Sequence, residues 1–402
     1  MAFRPASRES NTESEQTSLA ELARLFMKLG TIAFGGPAAH IAMMEDEVVV
    51  RRRWLTREAF TDYLGATNLI PGPNSTELAI HIGHARAGWP GLVVAGVSFI
   101  LPAACIVTAI AWAYVRFGAL PAAIGILYGV KPVVIAVVVQ ALWRLGRSAL
   151  KSTWLAVIAG AAMIAVAMGV NELLVLAAGG VLATTSRWRL TPDARAPLLL
   201  FIRSSLTRTN AAAIGTVGAI SAAGSATSVA LWPLFGVFCK IGAVLFGSGY
   251  VLLAFMRADL VERLHWLTER QLLDAVAVGQ ITPGPVFTTA TFVGYILAGG
   301  SGAAVATIGM FLPAFIFVAI SGPLVPKLRR SPIAALVLDG VNVVSLALMT
   351  VVTFQLAQTA LVDWLSVVLA VASGLALFRF RPNSVWLVLA AAAVGLFATI
   401  AC

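Results

Sequence analysis

The chain has 402 residues, 59% of them hydrophobic and only 11% charged, where soluble domains carry about a quarter. Its net charge of +10 is scattered through short segments between apolar stretches. This pattern excludes a nucleic-acid-binding module, which gathers its cations on one soluble face, and reads as a polytopic protein of a lipid bilayer.

Residues 1–18 are polar, rich in Ser, Glu, Thr and Arg, with no apolar h-region. They read as a disordered cytoplasmic tail and not as a signal peptide. Eight later stretches are apolar enough to be candidates for crossing a hydrocarbon core of about 30 Å. In chain order they are 91–115, 120–142, 154–170, 173–185, 303–324, 333–354, 362–378 and 385–400. The stretch 173–185 is short and needs its flanks to cross. Cys105, Cys239 and Cys402 lie far apart and give neither metal spacing nor a disulfide framework.

A shift of 212 residues aligns 26–76 with 238–288 without a gap. Matched pairs include Phe26/Phe238, Lys28/Lys240, Gly30/Gly242, Trp54/Trp266 and Asp62/Asp274. Pro71-Gly72-Pro73 falls on Pro283-Gly284-Pro285. After a slip of one residue, Leu101-Pro102 matches Leu312-Pro313 and Gly129-Val130-Lys131 matches Gly340-Val341-Asn342. Apolar bias alone does not align Pro, Gly, Trp, Lys and Asp. The organisation is therefore a first membrane repeat over 19–190, a basic linker over 191–224, and a second repeat over 225–402.

Basic residues cluster at 51–57, 144–151, 187–208, 327–330 and 379–381, whereas 257–270 has no net charge. Placing every basic loop in the cytoplasm makes the first Pro-Gly-Pro segment a re-entrant hairpin and inverts the second repeat. The weakly apolar stretch 211–228 would supply the odd crossing, and the C-terminus would lie outside. The fold class expected is an all-α polytopic membrane protein of two inverted-topology repeats with broken, re-entrant helices.

Each half breaks twice: at Gly35-Gly36-Pro37 and Gly247-Ser248-Gly249, and at the two Pro-Gly-Pro segments. Irregular backbone at membrane depth must line a cavity or be buried in protein. Proline is tolerated in a first helical turn, so half-helices can begin at 74 and 286. Their N-termini would present free N–H groups, Gly72 and Gly284 beside them, to an anion. The competing reading is kinks that serve packing. Asn68, Asn74, Ser75, Thr76, Gln280, Thr282, Thr288 and Thr289 crowd the breaks, either as donors to a tetrahedral oxyanion or as local caps. Lys131 lies deep in an apolar span, and a cation there is a functional candidate by default. Lys28 and Lys240 precede the glycine breaks and would either join the site or snorkel to an interface.

Glu77, His81 and His84 fall at i, i+4 and i+7 on one helix face. A proton relay, a wet vestibule and a zinc site compete there, and the zinc site lacks an evident fourth ligand. Asp62 and Asp274 are either proton carriers or partners for cations at a hairpin base. No cofactor and no enzymatic activity are expected.

These motifs resemble the chromate ion transporter family in its long-chain, two-domain form. The residues that carry the resemblance are Phe34-Gly35-Gly36-Pro37-Ala38-Ala39-His40, Arg53-Trp54-Leu55, Pro71-Gly72-Pro73, Gly83, Leu101-Pro102 and Gly129-Val130-Lys131-Pro132. In the second half they are Lys240-Ile241-Gly242, Phe246-Gly247-Ser248-Gly249-Tyr250, Pro283-Gly284-Pro285 and Leu312-Pro313. The resemblance implies proton- or potential-driven export of chromate across the bacterial cytoplasmic membrane, and hence chromate resistance. Protons and a homodimeric partner are further expectations. The sequence departs from the family at 68–77, Asn-Leu-Ile-Pro-Gly-Pro-Asn-Ser-Thr-Glu, where the family usually has Gln ahead of the first Pro-Gly-Pro. Transport of another anion such as sulfate, a passive anion channel and an intramembrane metalloenzyme are the alternative readings.

Overall fold

The computed structural model describes residues 17–34, 36–118, 120–185, 229–246, 249–380 and 384–401. The expected disordered tail and the extra crossing at 211–228 lie outside them. Helix α1 (Leu19–Ile32) is capped by Ser18, whose side chain accepts the Glu21 N–H. Leu22, Leu25, Phe26 and Leu29 are buried along one face at helical spacing. The chain turns at Ala33, and α2 (Gly36–Glu45), extended by a π-helical turn (Asp46–Arg51), runs back. Ion pairs Arg52–Glu21 and Lys28–Glu47, both 2.6 Å, tie the two limbs into an antiparallel hairpin. A second hairpin is made by α3 (Arg57–Thr67) and the first limb of α4 (Asn74–Phe117) around Pro71-Gly72-Pro73. Arg86 closes it, donating to the Thr17 hydroxyl (2.9 Å) and the Trp54 carbonyl (3.2 Å). Thr17, Trp54 and Arg86 therefore share one end of the bundle, and both hairpins enter and return there. The Pro-Gly-Pro segment is re-entrant.

At Ala87 and Gly88 the chain leaves helical geometry, with Gly88 at φ +59, a backbone that glycine adopts freely. α4 reverses so sharply that a Cβ on Gly83 or Gly91 would run into the other's carbonyl oxygen. Ala298, Gly299, Gly294 and Gly302 repeat this reversal in the second half. Gly83→Val should cost about 1–3 kcal/mol of overpacking and lower Tm by several degrees. Gly236→Val, with nothing within 4 Å of its new Cβ, should leave Tm unchanged; equal melting curves for the two variants would refute the tight reversal.

The second limb of α4 crosses the bundle, α5 (Pro121–Ala149) returns, and α6 (Thr153–Ala167) and α7 (Glu172–Thr184) form a short pair. The second half repeats the series as α8 (Leu231–Val244), α9 (Leu252–Met256) with a π-helical turn (Arg257–Arg263), α10 (Glu269–Ile281), α11 (Thr289–Arg330), α12 (Pro332–Ala360), α13 (Trp364–Arg379) and α14 (Ser384–Ala401). Gly125 lies against Gly395, and Gly129 against Ala391, so α14 runs antiparallel to α5. Small residues allow this close approach between helices in lipid. α13 runs parallel to α5, joined by Tyr128 to Asp363 (2.7 Å) and Gln140 to the Leu377 carbonyl (2.9 Å). Asp363 caps α13. Its carboxylate accepts from the Ser366 N–H at 2.8 Å and from the Tyr128 hydroxyl. Lys151, just past α5, meets Asp339 near the start of α12 at 2.7 Å.

Following these contacts, α12 starts at the end where α5 finishes, and the second limb of α11 runs opposite to that of α4. The repeats are inverted. One end of the bundle carries residues 51–57, 144–151, 327–330 and 379; it is called the basic end below. The other end carries 257–270, where Arg257 and Arg263 are paired with Glu262, Glu269 and Asp259. Of the eight expected spans, four lie in helices long and apolar enough to cross alone: 74–117, 121–149, 286–321 and 332–360. The stretches 154–170, 173–185, 362–378 and 385–400 form shorter apolar helices. At 1.5 Å per residue a 13-residue helix such as α7 reaches only about 20 Å; these short helices lie as packed pairs, α6 and α7 against α12, α13 and α14 against α5.

Candidate functional site

The helix breaks meet in the middle of the bundle. The Gly72 N–H donates to the Leu245 carbonyl at 2.7 Å, and the Gly284 N–H to the Ala33 carbonyl at 3.0 Å. Residues 33/245 and 72/284 are both separated by 212, so these bonds are two copies of one contact, exchanged between the repeats. Buried peptide groups that neither helix can satisfy find each other here.

Above this junction a cavity of about 530 Å³ opens toward the basic end. Its floor is built by Pro37, Asn68, Pro73, Asn74 and Ser75 from the first repeat, and by Gly249 and Phe287 from the second. Its wall is the last three turns of α5, with Gln140 and Arg144, facing Asn342 and Ser345 on α12. Arg144 has no carboxylate partner among the described residues, whereas Lys151 at the rim is paired with Asp339. At the floor the Asn74 side-chain amide donates to Asn68 Oδ1 at 2.9 Å. The Thr76 and Glu77 N–H groups return to the Pro73 carbonyl (2.8 and 3.0 Å). The N–H groups of Asn74 and Ser75 then stand ahead of the helix, the ordinary condition of a helix N-terminus. Such an arrangement offers an anion backbone and amide donors, with one guanidinium above.

Of the residues picked from sequence, Asn68, Asn74 and Ser75 line the cavity. Gly36 lies beside it at the start of α2, and Gly72 and Gly284 form the reciprocal bonds beneath. Gly35, Gly247 and Ser248 lie outside the described residues. Thr76 is fully buried, with no partner for its hydroxyl among the described residues. In the second half the hydroxyls turn back on their own helices: Thr288 to the Pro285 carbonyl, Thr289 to Val286 and Thr282 to Val278. They are spent on backbone carbonyls three or four residues back and are not among the cavity-lining residues. Gln280 is buried with its Nε2 unpaired.

The three lysines do not join the cavity, and each has a carboxylate. Lys28 meets Glu47 at 2.6 Å and Lys240 meets Asp259 at 2.7 Å. These pairs are repeat equivalents, because each returning hairpin limb carries an acid past the lysine of the entering limb. Lys131 pairs with Asp274 at 2.9 Å, and the Tyr114 hydroxyl donates to the other Asp274 oxygen at 2.9 Å. Asp62, the repeat partner of buried Asp274, is exposed. Glu77 is fully buried, its carboxylate against the Cα of Gly72, with neither oxygen hydrogen-bonded among the described residues. His81 is buried and stacks on Tyr63, while His84 is exposed beside Trp89. The three form a file from mid-depth to the basic end, and no group of three metal-binding side chains occurs among the described residues.

Two features were missed from sequence. Arg144 reads as an ordinary loop cation until α5 is seen to carry it into the cavity wall. His40 links the breaks, with Nε2 3.0 Å from the Ala33 carbonyl and Nδ1 3.3 Å from the Ser75 hydroxyl. Its isolated position on an otherwise apolar helix was the available signal.

The family model described as chromate transporter matches twice, over residues 20–184 and 232–396. A chromate transport protein of Cupriavidus metallidurans is 33% identical over 389 residues, covering 95% of this chain and 93% of its own. A chromate transport protein of Pseudomonas aeruginosa is 32% identical over 412 residues, covering 98% and 96%. An uncharacterized transporter of Methanocaldococcus jannaschii is 26% identical over 84% of each chain. No solved structure matches the chain significantly.

Proposed function

Because the chain belongs to the chromate transporter family, we propose that it is a secondary active transporter that moves chromate, or a closely similar oxyanion, out of the bacterial cytoplasm. The carrying observation is the cavity, which opens at the basic end, passes Arg144 and stops on the half-helix N-terminus at Asn74 and Ser75. A tetrahedral dianion needs several donors and one neutralising charge, and these residues offer both.

Basic loops face the cytoplasm, so the basic end is inside, the cavity is inward-open, and residue 401 at the far end of α14 lies outside. The membrane is accordingly the cytoplasmic one. Inverted repeats with broken helices meeting at mid-depth suit rocking of one repeat against the other around that site. Glu77, with His81 and His84 leading from it to the basic end, is assigned the proton that drives the anion. An intramembrane carboxyl with no ion-pair partner among the described residues is a functional site by default. Lys28 and Lys240 are assigned to holding the hairpins.

The test is flux of labelled chromate in sealed vesicles holding the purified protein, with and without an imposed proton gradient. Gradient-dependent accumulation is the expected result. Downhill flux alone would convert the reading to a channel, and accumulation of sulfate but not chromate would change the cargo. The sidedness is checked separately. Glu58→Cys and His265→Cys, both exposed and at opposite ends, should react with an impermeant thiol reagent from opposite faces of cells. Labelling of both from one face would refute the inversion.

A further inference from the structure

The two repeats are close copies, yet among the described residues only one of the two cavities their symmetry allows is seen open. Repeat equivalence maps the open cavity onto a second location at the other end. Asn68 corresponds to Gln280. On α5 and α12, Leu145 corresponds to Leu356, Arg144 to Gln355 and Asn342 to Lys131. The first member of each pair lines the open cavity. In the second set, Leu356 is completely buried and Lys131 and Gln280 are at most 9% exposed. The second location is therefore closed.

What closes it is specific. Lys131 on α5 is held by Asp274 on α10, at 2.9 Å, and Tyr114 on α4 donates to the same carboxylate. The pair joins the first repeat to the second. Arg270, one turn before Asp274 and exposed at that end, adds positive charge near Lys131. Two buried amide atoms at the closed location, Gln280 Nε2 and Gln355 Oε1, lack any hydrogen-bond partner among the described residues. Buried polar atoms are ordinarily paired. Two orphans at the repeat equivalents of cavity-lining Asn68 and Arg144 mark a surface that is wetted in another arrangement of the same helices.

We propose that this seam is a second, latent anion site opening to the far end, with Lys131 as its cation, and that Asp274 with Tyr114 latches it shut while the basic end is open. Asp274 occupies the charge that the oxyanion takes when the repeats exchange shapes. Lys131 thus serves two anionic partners in turn, one fixed and one transported. The inference rests on the transporter reading above and assigns the residues of its outward state.

The test uses the full chain with Cys105, Cys239 and Cys402 replaced, Gln355→Cys as reporter, and an impermeant thiol reagent applied from the far side of sealed vesicles. No anion is needed, so the labelling can fail while chromate flux stands, and flux can fail while labelling stands. With the latch intact, labelling is slow. Asp274→Asn keeps the size and the Tyr114 contact but removes the charge, and should raise the labelling rate by about tenfold or more as the open state gains population. The charge swap, Lys131→Asp with Asp274→Lys, should restore slow labelling yet leave chromate flux low, because the cation has moved from α5 to α10. Fast labelling with the latch intact, or a rate that Asp274→Asn leaves unchanged in protein that still elutes as a single folded species, would overturn the latch. Full flux in the charge-swapped protein would remove Lys131 from the latent site.

Discussion

Replacing Arg144 with alanine should cut chromate flux by roughly ten- to a hundredfold, the cost of losing a charged hydrogen-bond partner at about 1.5–3 kcal/mol. The argument is geometric. Arg144 stands in the cavity wall with no carboxylate partner among the described residues, whereas the neighbouring Lys151 is already neutralised by Asp339. Lysines 28, 131 and 240 are also paired. Among the described residues, an entering dianion therefore meets an unpaired cation at 144. Arg144→Lys should keep part of the flux, since the charge survives and the planar fork does not. The loss should fall mainly on KM, because the cation acts in capture. Arg147→Ala is the control: Arg147 is exposed and outside the cavity lining, and its loss should change little. Flux of Arg144→Ala equal to wild type, in vesicles with equal protein content, would remove the cavity wall from the transport path.

The fold was largely legible because its determinants are local or repeated. The 212-residue offset aligned the Pro-Gly-Pro segments, and loop charge alone predicted which of them must turn back. Contact between Thr17, Trp54 and Arg86 realises that prediction. The site was legible in part. Asn68, Asn74 and Ser75, which line the cavity, were singled out because a proline opening a half-helix in lipid has few other uses. The carboxylate partners of the lysines were not legible, for a different reason. A buried cation in sequence signals a partner or a ligand, and the partner of Lys131 is 143 residues away on the other repeat. Lys28 could have been resolved: Glu47 and Asp259 are also 212 apart, so a matched acid accompanied each matched lysine. Arg144 lay at the edge of an apolar stretch, where sequence cannot tell a loop from the last turns of a helix wrapped around a cavity.

Glu77→Gln should abolish gradient-driven accumulation of chromate while leaving chromate–chromate exchange across the membrane in place. The side chain sits where the anion site and the proton path would have to meet. Its carboxylate touches the Gly72 backbone, one helical turn beneath Asn74 and Ser75, and no donor reaches it among the described residues. His81 and His84 continue from it on the same face to the exposed basic end. Glutamine keeps the volume and the contact with Gly72, so the broken-helix junction, with its bonds from Gly72 to Leu245 and from Gly284 to Ala33, should form as before. What glutamine removes is the ability to exchange a proton. An exporter that trades protons for chromate then loses its driving force but not its binding site, and runs as an exchanger. Accumulation by the variant that still follows the imposed proton gradient would take the proton away from Glu77. Loss of exchange along with accumulation, in protein that elutes and melts like wild type, would instead make Glu77 part of the anion site itself.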